Sequence, residues 1–88
     1  MKRDMALVRE ILREVQDRFD GNRPIEVEIE GHSTEEISYH IMIMAEAELL
    51  LAIDASAGDF DWRARRLTWQ GHEFFDAANN ETVWRKVL

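Results

Sequence analysis

The chain of 88 residues contains no cysteine, one proline and four glycines. Without cysteine it can form no disulfide, no thiolate metal site and no thiol nucleophile, and a cytoplasmic location is expected. Long apolar runs are also missing. The longest stretch without Asp, Glu, Lys or Arg covers residues 37–45, well short of the roughly 20 residues that span a bilayer. The sequence therefore predicts a single soluble domain over residues 1–88, with no membrane partner.

Lys and Arg are absent between Arg23 and Arg63, and that stretch carries ten carboxylates. The segments on either side are slightly basic, and the whole chain has a net charge of −7. A surface that neutralises phosphates needs Lys and Arg. The acidic stretch therefore argues against nonspecific binding to nucleic acid or to an anionic membrane.

Capping residues and apolar spacing predict three helices. Asp4 caps the first, in which apolar residues recur every three or four positions. Ser33 opens the second within the capping box Ser-Thr-Glu-Glu, and Thr68 caps the third. The predicted helices extend to about residues 19, 47 and 78, and a last helical turn begins at residue 80 or 81.

Alternating and apolar segments predict three strands. Residues 25–30 alternate β-branched and acidic residues, which places the apolar side chains inward and the three Glu outward. Residues 49–53 and 62–67 flank a turn and form a hairpin. Three such strands make one antiparallel sheet with helices on one face, in the order helix-strand-helix-strand-strand-helix-helix. This is an α+β, winged-helix-like fold from which one helix is missing.

Several segments carry a family resemblance. They are MKRDM at residues 1–5, EISYH at 36–40 and LTWQGHEF at 67–74, followed by Trp84. Together they resemble an uncharacterised family of short bacterial and prophage proteins, a domain of unknown function. The resemblance covers nearly the whole chain and implies a winged-helix-like fold but no activity. The LT-x-x-G segment is also similar to many winged-helix repressors.

The end of the second helix departs from the pattern of winged-helix domains. Such domains usually close this helix with a glycine in the left-handed conformation, and here Glu48 occupies that place. A residue with a Cβ adopts this conformation at a steric cost. The end of this helix is therefore expected to be strained.

Candidate chemistry is sparse. His72 and Asp76 lie one helical turn apart, as two metal ligands would, but a hydrolytic metal site needs a third ligand and an open position. His40 is predicted to be a buried histidine with satisfied hydrogen bonds, and the tryptophans are predicted to pack in the core and its rim. No catalytic residue, metal site or cofactor is predicted, so the chain is not expected to be an enzyme.

The charge distribution leads to the first functional hypothesis, a non-enzymatic protein-interaction module that acts as a prophage or accessory regulator or inhibitor. Its partner would be a basic protein surface, such as the nucleic-acid channel of a host or defence complex. The predicted contact surface, called here the acidic face, consists of Glu26, Glu28, Glu30, Glu35, Met42 and Glu46.

The second hypothesis is a DNA-binding winged-helix regulator. It rests on the predicted fold, which is an analogy and not a property of a site. Phosphate contacts would come from the arginines of the second hairpin strand, Arg63, Arg65 and Arg66, together with Lys2 and Arg3. Strict alternation along a strand would place Arg63 and Arg65 on one face and Arg66 on the other. Because the acidic stretch disfavours contact with DNA, this hypothesis ranks second. A homodimer is compatible with it.

Overall fold

A computed structural model of the chain describes residues 1–79. The elements in chain order are α1 (Met5–Arg18), α2 (Thr34–Glu46), β1 (Leu50–Asp54), β2 (Trp62–Leu67) and α3 (Trp69–Ala78). Each helix begins directly after its predicted cap, and in each case the capping oxygen accepts hydrogen bonds from backbone N–H groups of the first turn. The described residues therefore form an α+β fold with three helices and one antiparallel sheet of two strands. The helical turn predicted after residue 80 lies outside them.

The predicted three-stranded sheet is corrected to two strands within residues 1–79. In place of a third strand, Ile25 forms one isolated antiparallel bridge to Ala64, with N···O distances of 2.6 and 3.3 Å. Ile25 and Val27 are buried and the Glu residues between and after them are exposed, so alternation predicted the faces correctly. On the side of residue 26 that faces away from β2, the Glu26 carbonyl accepts a hydrogen bond from Arg18 Nη1 at 3.0 Å, which holds this segment against the end of α1.

The core lies where α1 packs against α2, β2 and α3. Its fully buried side chains include Leu7, Ile11 and Val15 of α1 and Ile41 and Met44 of α2. Burial of each such side chain is worth about 1.5–3 kcal/mol. The sheet is tied to α2 by a buried serine, because Ser38 Oγ accepts a hydrogen bond from the Trp62 backbone N–H at 3.0 Å. The core therefore fixes the position of the hairpin relative to α2.

The end of α2 and the start of α3 are joined by the LT-x-x-G segment. Glu48 has a φ of +63°, which confirms the left-handed conformation predicted at this position. The Thr68 hydroxyl donates to the Glu48 carbonyl and accepts from the Gly71 backbone N–H at 3.0 Å. Gly71 packs directly on the Leu49 carbonyl. Thr68 and Gly71 thus have structural roles, which explain a large part of this motif.

Replacing Glu48 by Gly is expected to stabilise the fold by about 1 kcal/mol, because glycine adopts a positive φ without the cost that a Cβ imposes. Urea unfolding followed by circular dichroism measures the change. Glu48→Ala is the matched control, since it removes the carboxylate but keeps the Cβ. An equal gain in both variants would assign the effect to the charge of Glu48 and would contradict the explanation from backbone conformation.

Candidate functional site

The acidic face is exposed in the structure. Each of its five Glu side chains is accessible to solvent, and Met42 is half-buried, with Met44 in the core behind it. Glu35, Met42 and Glu46 share one side of α2 because they are spaced by whole turns. At about 1.5 Å per residue, Glu35 and Glu46 lie roughly 16 Å apart along the helix. α2 therefore presents an elongated acidic row with an apolar side chain in its middle.

The segment between α1 and α2 adds a compact group of carboxylates. Glu28 and Glu30 line a shallow depression of about 470 Å³ together with Glu10 and Glu14 of α1. We call these four residues the carboxylate cluster. His32 lines the same depression, and its Nδ1 lies 2.7 Å from Glu36 Oε1. The cluster concentrates negative charge at the junction of two chain segments.

The sequence did not predict that Glu10 and Glu14 belong to the candidate site. They form i,i+3 and i,i+4 pairs with Arg13 and Arg18, but the N···O distances are 4.0 and 3.9 Å and the side chains are exposed, so these pairs are weak. The signal that was available is their spacing, which places both on one row of α1. What packs on that row depends on the path of residues 25–30, which the sequence alone does not specify.

The arginines of β2 are each engaged by oxygen atoms of their own chain. Arg63 Nη2 lies 3.2 Å from Asp61 Oδ2 and 3.6 Å from Glu26 Oε2. Arg65 Nη1 donates to the Asn22 carbonyl at 3.0 Å, and Arg66 Nη1 donates to the Leu67 carbonyl at 3.0 Å. Within residues 1–79, Glu26 thus differs from the other Glu residues of the acidic face, because its charge is paired. The predicted phosphate contacts are correspondingly weakened.

The strict alternation predicted for β2 is wrong because the strand is irregular. Leu51 pairs with Arg66 and Ala52 pairs with Ala64, so Arg65 is an extra residue in the ladder. A bulge of this kind shifts the face on which the following side chains lie. Ala64 and Leu67 both enter the core, although an even spacing would be required in a regular strand. Arg63, Arg65 and Arg66 therefore do not sort onto two faces as expected.

The hairpin turn supplies a further ionised carboxylate. Hydrogen bonds from Ser56, first from its side chain and then from its backbone N–H, lower the pKa of Asp54 below its usual value. The backbone bond from Ser56 N to Asp54 Oδ1 is 3.0 Å long. Because a lowered pKa favours the charged form, Asp54 keeps its negative charge at neutral pH. The turn thus extends the acidic surface.

His40 is confirmed as a buried histidine with satisfied hydrogen bonds. Its side chain is completely buried, its Nδ1 lies 2.8 Å from the Glu36 carbonyl and its Nε2 lies 2.9 Å from the Asp4 backbone nitrogen. A carbonyl can only accept, so Nδ1 carries the proton and Nε2 accepts from Asp4 N–H. His40 connects the beginning of α1 to α2 and is a structural residue.

Trp69 does not pack as predicted. It is 80 % exposed, whereas Trp62 is half-buried against the core; Trp84 lies outside the described residues. The buried positions of α3 are Gly71, Phe75 and Ala78, and Trp69 falls on the opposite side of the helix. The helical spacing of α3 was a signal that could have placed Trp69 on the surface.

Two concave regions flank Trp69. Trp69, His72, Glu73 and Asp76 line a small depression on one side. The other side is a groove of about 420 Å³ between the end of α1 and the start of α3, lined by Val15, Gln16, Phe19, Arg66, Leu67, Trp69 and His72. Within residues 1–79 no group of three or more His, Cys, Asp or Glu side chains could hold a metal ion. The pair His72 and Asp76 therefore has no third protein ligand in this part of the chain.

No helix within residues 1–79 combines the length and the apolar character needed to cross a bilayer. The fold and the surface define a small α+β domain in which carboxylates dominate the exposed charge. The chain belongs to the family described as Hypothetical protein (DUF2513), whose model matches residues 2–88. The membership expected from MKRDM and LTWQGHEF in a family of unknown function is confirmed.

One similar relative is an uncharacterized protein of Haemophilus influenzae. It is 36 % identical over 89 residues, which cover 99 % of this chain and 75 % of the relative. No solved structure matches the chain. The comparisons establish the family and leave the function to be inferred from the surface.

Proposed function

We propose that this chain is a non-enzymatic protein-interaction module whose acidic surface docks on a basic surface of another protein. One observation carries the proposal. Four exposed or half-exposed carboxylates, the carboxylate cluster, gather around one depression, while the three arginines of β2 are bonded to oxygens of their own chain. The net field around this surface is therefore negative and attracts cationic groups.

The chemistry of the surface indicates the class of partner. Carboxylates at the rim of an interface steer association and select partners by charge, and salt screens this effect. A Lys- and Arg-rich channel that normally holds nucleic acid presents the complementary charge. By occupying those cations, the domain would compete with phosphate groups. This mode of action fits a cytoplasmic regulator or inhibitor encoded by a prophage or as an accessory gene.

The alternative function is a winged-helix DNA-binding regulator. The order α1, the Ile25 bridge, α2, the β1–β2 hairpin and α3 supports it, because this order is similar to the winged-helix order that the sequence predicts. In such a domain α2 would face the DNA. The exposed Glu35 and Glu46 would repel phosphates, and neither they nor the half-buried Met42 offer a donor to a base edge. The interaction module is therefore the preferred proposal.

Reversing the charge of the acidic surface is expected to abolish capture of the partner. The variant combines Glu28→Lys, Glu35→Lys and Glu46→Lys, all at exposed positions. Affinity capture from host lysate, followed by measurement of the dissociation constant with the identified partner, should show a loss of at least about 100-fold, because each close interfacial charge pair can contribute more than about 1 kcal/mol.

The control for that experiment applies the same change in net charge elsewhere. Asp17, Asp20 and Asp59 are exposed and lie outside the acidic face. Their combined replacement by Lys should leave the partner bound with a small change in affinity. Retention of the partner by the Glu28, Glu35 and Glu46 variant, with unchanged salt dependence, would refute the acidic surface as the contact.

The DNA alternative is separated by a mobility-shift assay at about 50 mM salt, where phosphate contacts are strongest. If the chain is an interaction module, it should shift no DNA fragment. A shift that disappears in Arg65→Ala/Arg66→Ala protein would support the alternative and overturn the ranking.

A further inference from the structure

We propose that the surface around Trp69 is a homodimer interface in which each copy of this chain inserts Trp69 into the groove of a second copy. We call this surface the Trp69 surface; it comprises Trp69, the adjoining groove, and Glu73 and Asp76. Apart from Arg66, which lines the groove, it uses none of the residues assigned to partner or phosphate binding. The inference therefore goes beyond the proposed function and does not depend on it.

The projecting element is Trp69 itself. It is the first residue of α3 and is 80 % exposed, so most of its surface is in contact with water. A Trp side chain buries about 150–250 Å² when it is covered. Tryptophan is among the residues most enriched where a few side chains dominate the energy of an interface. Covering an apolar ring of this size removes a large apolar area from water and therefore favours association.

The receiving element is the groove next to it. Its volume of about 420 Å³ lies within the range of roughly 300–1,000 Å³ typical of pockets that enclose small molecules, so an indole ring fits. Val15 and Leu67 form its buried floor, and Phe19, which is 49 % exposed, forms one side. Trp69 stands at the rim of this groove without filling it, because its ring is exposed.

A projection and a groove on the same surface make that surface self-complementary, as the interface of a two-fold homodimer must be. In a two-fold contact the same patch occurs on both subunits, so that residue i of one meets residue j of the other and the reverse. One such axis would fill both grooves and cover both Trp69 rings at once. A different partner could fill the groove or cover Trp69, but would need its own groove and projection to do both.

The charges on the surface favour a second copy over other occupants. Glu73 and Asp76 follow Trp69 on the same side of α3 and line the same depression, and neither forms an ion pair within residues 1–79. Because they accompany Trp69, they approach the partner's groove, where Arg66 lines the wall. Arg66 makes no ion pair in the described part of the chain, and its Nη1 bonds to the Leu67 carbonyl. A basic partner would match Glu73 and Asp76 but oppose Arg66, whereas a second copy matches both.

Sedimentation equilibrium of the full chain tests the proposal. The wild-type protein is expected to dimerise with a dissociation constant in the micromolar range, as small interfaces do. Trp69→Ala should weaken the dimer by at least about 30-fold, the effect of losing a dominant interface residue. Phe60→Ala is the matched control, because Phe60 is also an exposed aromatic residue, at 38 % exposure, and lies in the hairpin turn away from this surface. It should leave the dissociation constant unchanged.

Exchanging the charges tests whether Glu73 and Asp76 of one copy lie beside Arg66 of the other. Arg66→Glu alone and Glu73→Arg/Asp76→Arg alone should each weaken the dimer by about 10-fold or more, because each places like charges together. Combining the three changes reverses both sides and should recover most of the affinity. Circular dichroism establishes that each variant is folded before its association is measured.

Two results would overturn the proposal. One is a wild-type protein that stays monomeric at about 100 μM, far above a micromolar dissociation constant. The other is a dimer that Trp69→Ala and the charge exchange leave unchanged. The Glu28, Glu35 and Glu46 variant should dimerise normally, so failure of this proposal is distinguishable from failure of the proposed interaction with a basic partner.

Discussion

Gly71→Ala is expected to destabilise the fold by about 3 kcal/mol, at the upper end of the usual cost of overpacking. A Cβ at this position would lie 1.8 Å from the Leu49 carbonyl oxygen and 2.9 Å from its carbon. The obstacle is backbone, which cannot turn aside as a flexible side chain can. Helix propensity alone predicts the opposite, since Ala is favoured over Gly by about 1 kcal/mol inside a helix. The steric term is larger and determines the sign.

A loss of this size is a large part of the roughly 5–10 kcal/mol that stabilises a domain of this size. Urea unfolding followed by circular dichroism is the measurement. Gly58→Ala provides the comparison: Gly58 has a φ of +98°, and beyond its chain neighbours no atom lies within 4 Å of the place that a methyl group would take. Only the cost of backbone strain, about 1 kcal/mol, therefore applies there. A Gly71→Ala protein as stable as the wild type would show that α3 does not pack on Leu49 as described.

His40→Leu is expected to cost about 2–3 kcal/mol, because it removes the acceptor of a buried donor. The Asp4 backbone N–H donates to His40 Nε2 at 2.9 Å, and the ring is fully buried. Leucine is similar in polarity to the surrounding core but accepts no hydrogen bond. The beginning of α1 should therefore lose its connection to α2. Urea unfolding measures the total loss, and amide hydrogen exchange at Asp4 locates it.

His40→Gln and His72→Leu are the controls for that prediction. Glutamine carries an oxygen that can accept from Asp4 N–H, so it should recover part of the stability. His72 is exposed, and its replacement should change stability by no more than about 0.5 kcal/mol. Equal losses in the Leu and Gln variants of His40 would assign the effect to packing and would contradict the hydrogen-bond explanation.

The helices and the hairpin could be predicted from the sequence because their signals are local. Asp4, Ser33 and Thr68 bond to N–H groups of the turns that they begin, so their effect is contained in a few neighbouring residues. The steric cost at Glu48 was also indicated by the sequence, because Glu48 stands where winged-helix domains usually close this helix with a glycine. The signals for these features are therefore contained in short stretches of the sequence.

The features that sequence reasoning missed depend on distant contacts. Residues 25–30 have the composition of a strand, but their pairing with β2 is limited to the bridge between Ile25 and Ala64. The bulge at Arg65 is defined only by the pairing with β1. In the candidate site, the charges of Glu28 and Glu30 were evident, and their proximity to Glu10 and Glu14 was not. Composition supplied the charge, and only packing supplied its location.

The hydrogen bonds at Thr68 have a consequence for the local unfolding of the chain. Thr68 reaches across the base of the β1–β2 hairpin, with its hydroxyl on the Glu48 carbonyl and its N–H on the Leu49 carbonyl at 3.1 Å. The same hydroxyl holds the first turn of α3 through Gly71. Closing the loop costs entropy before these bonds form. We therefore expect the hairpin and the start of α3 to open and close together, as one cooperative unit.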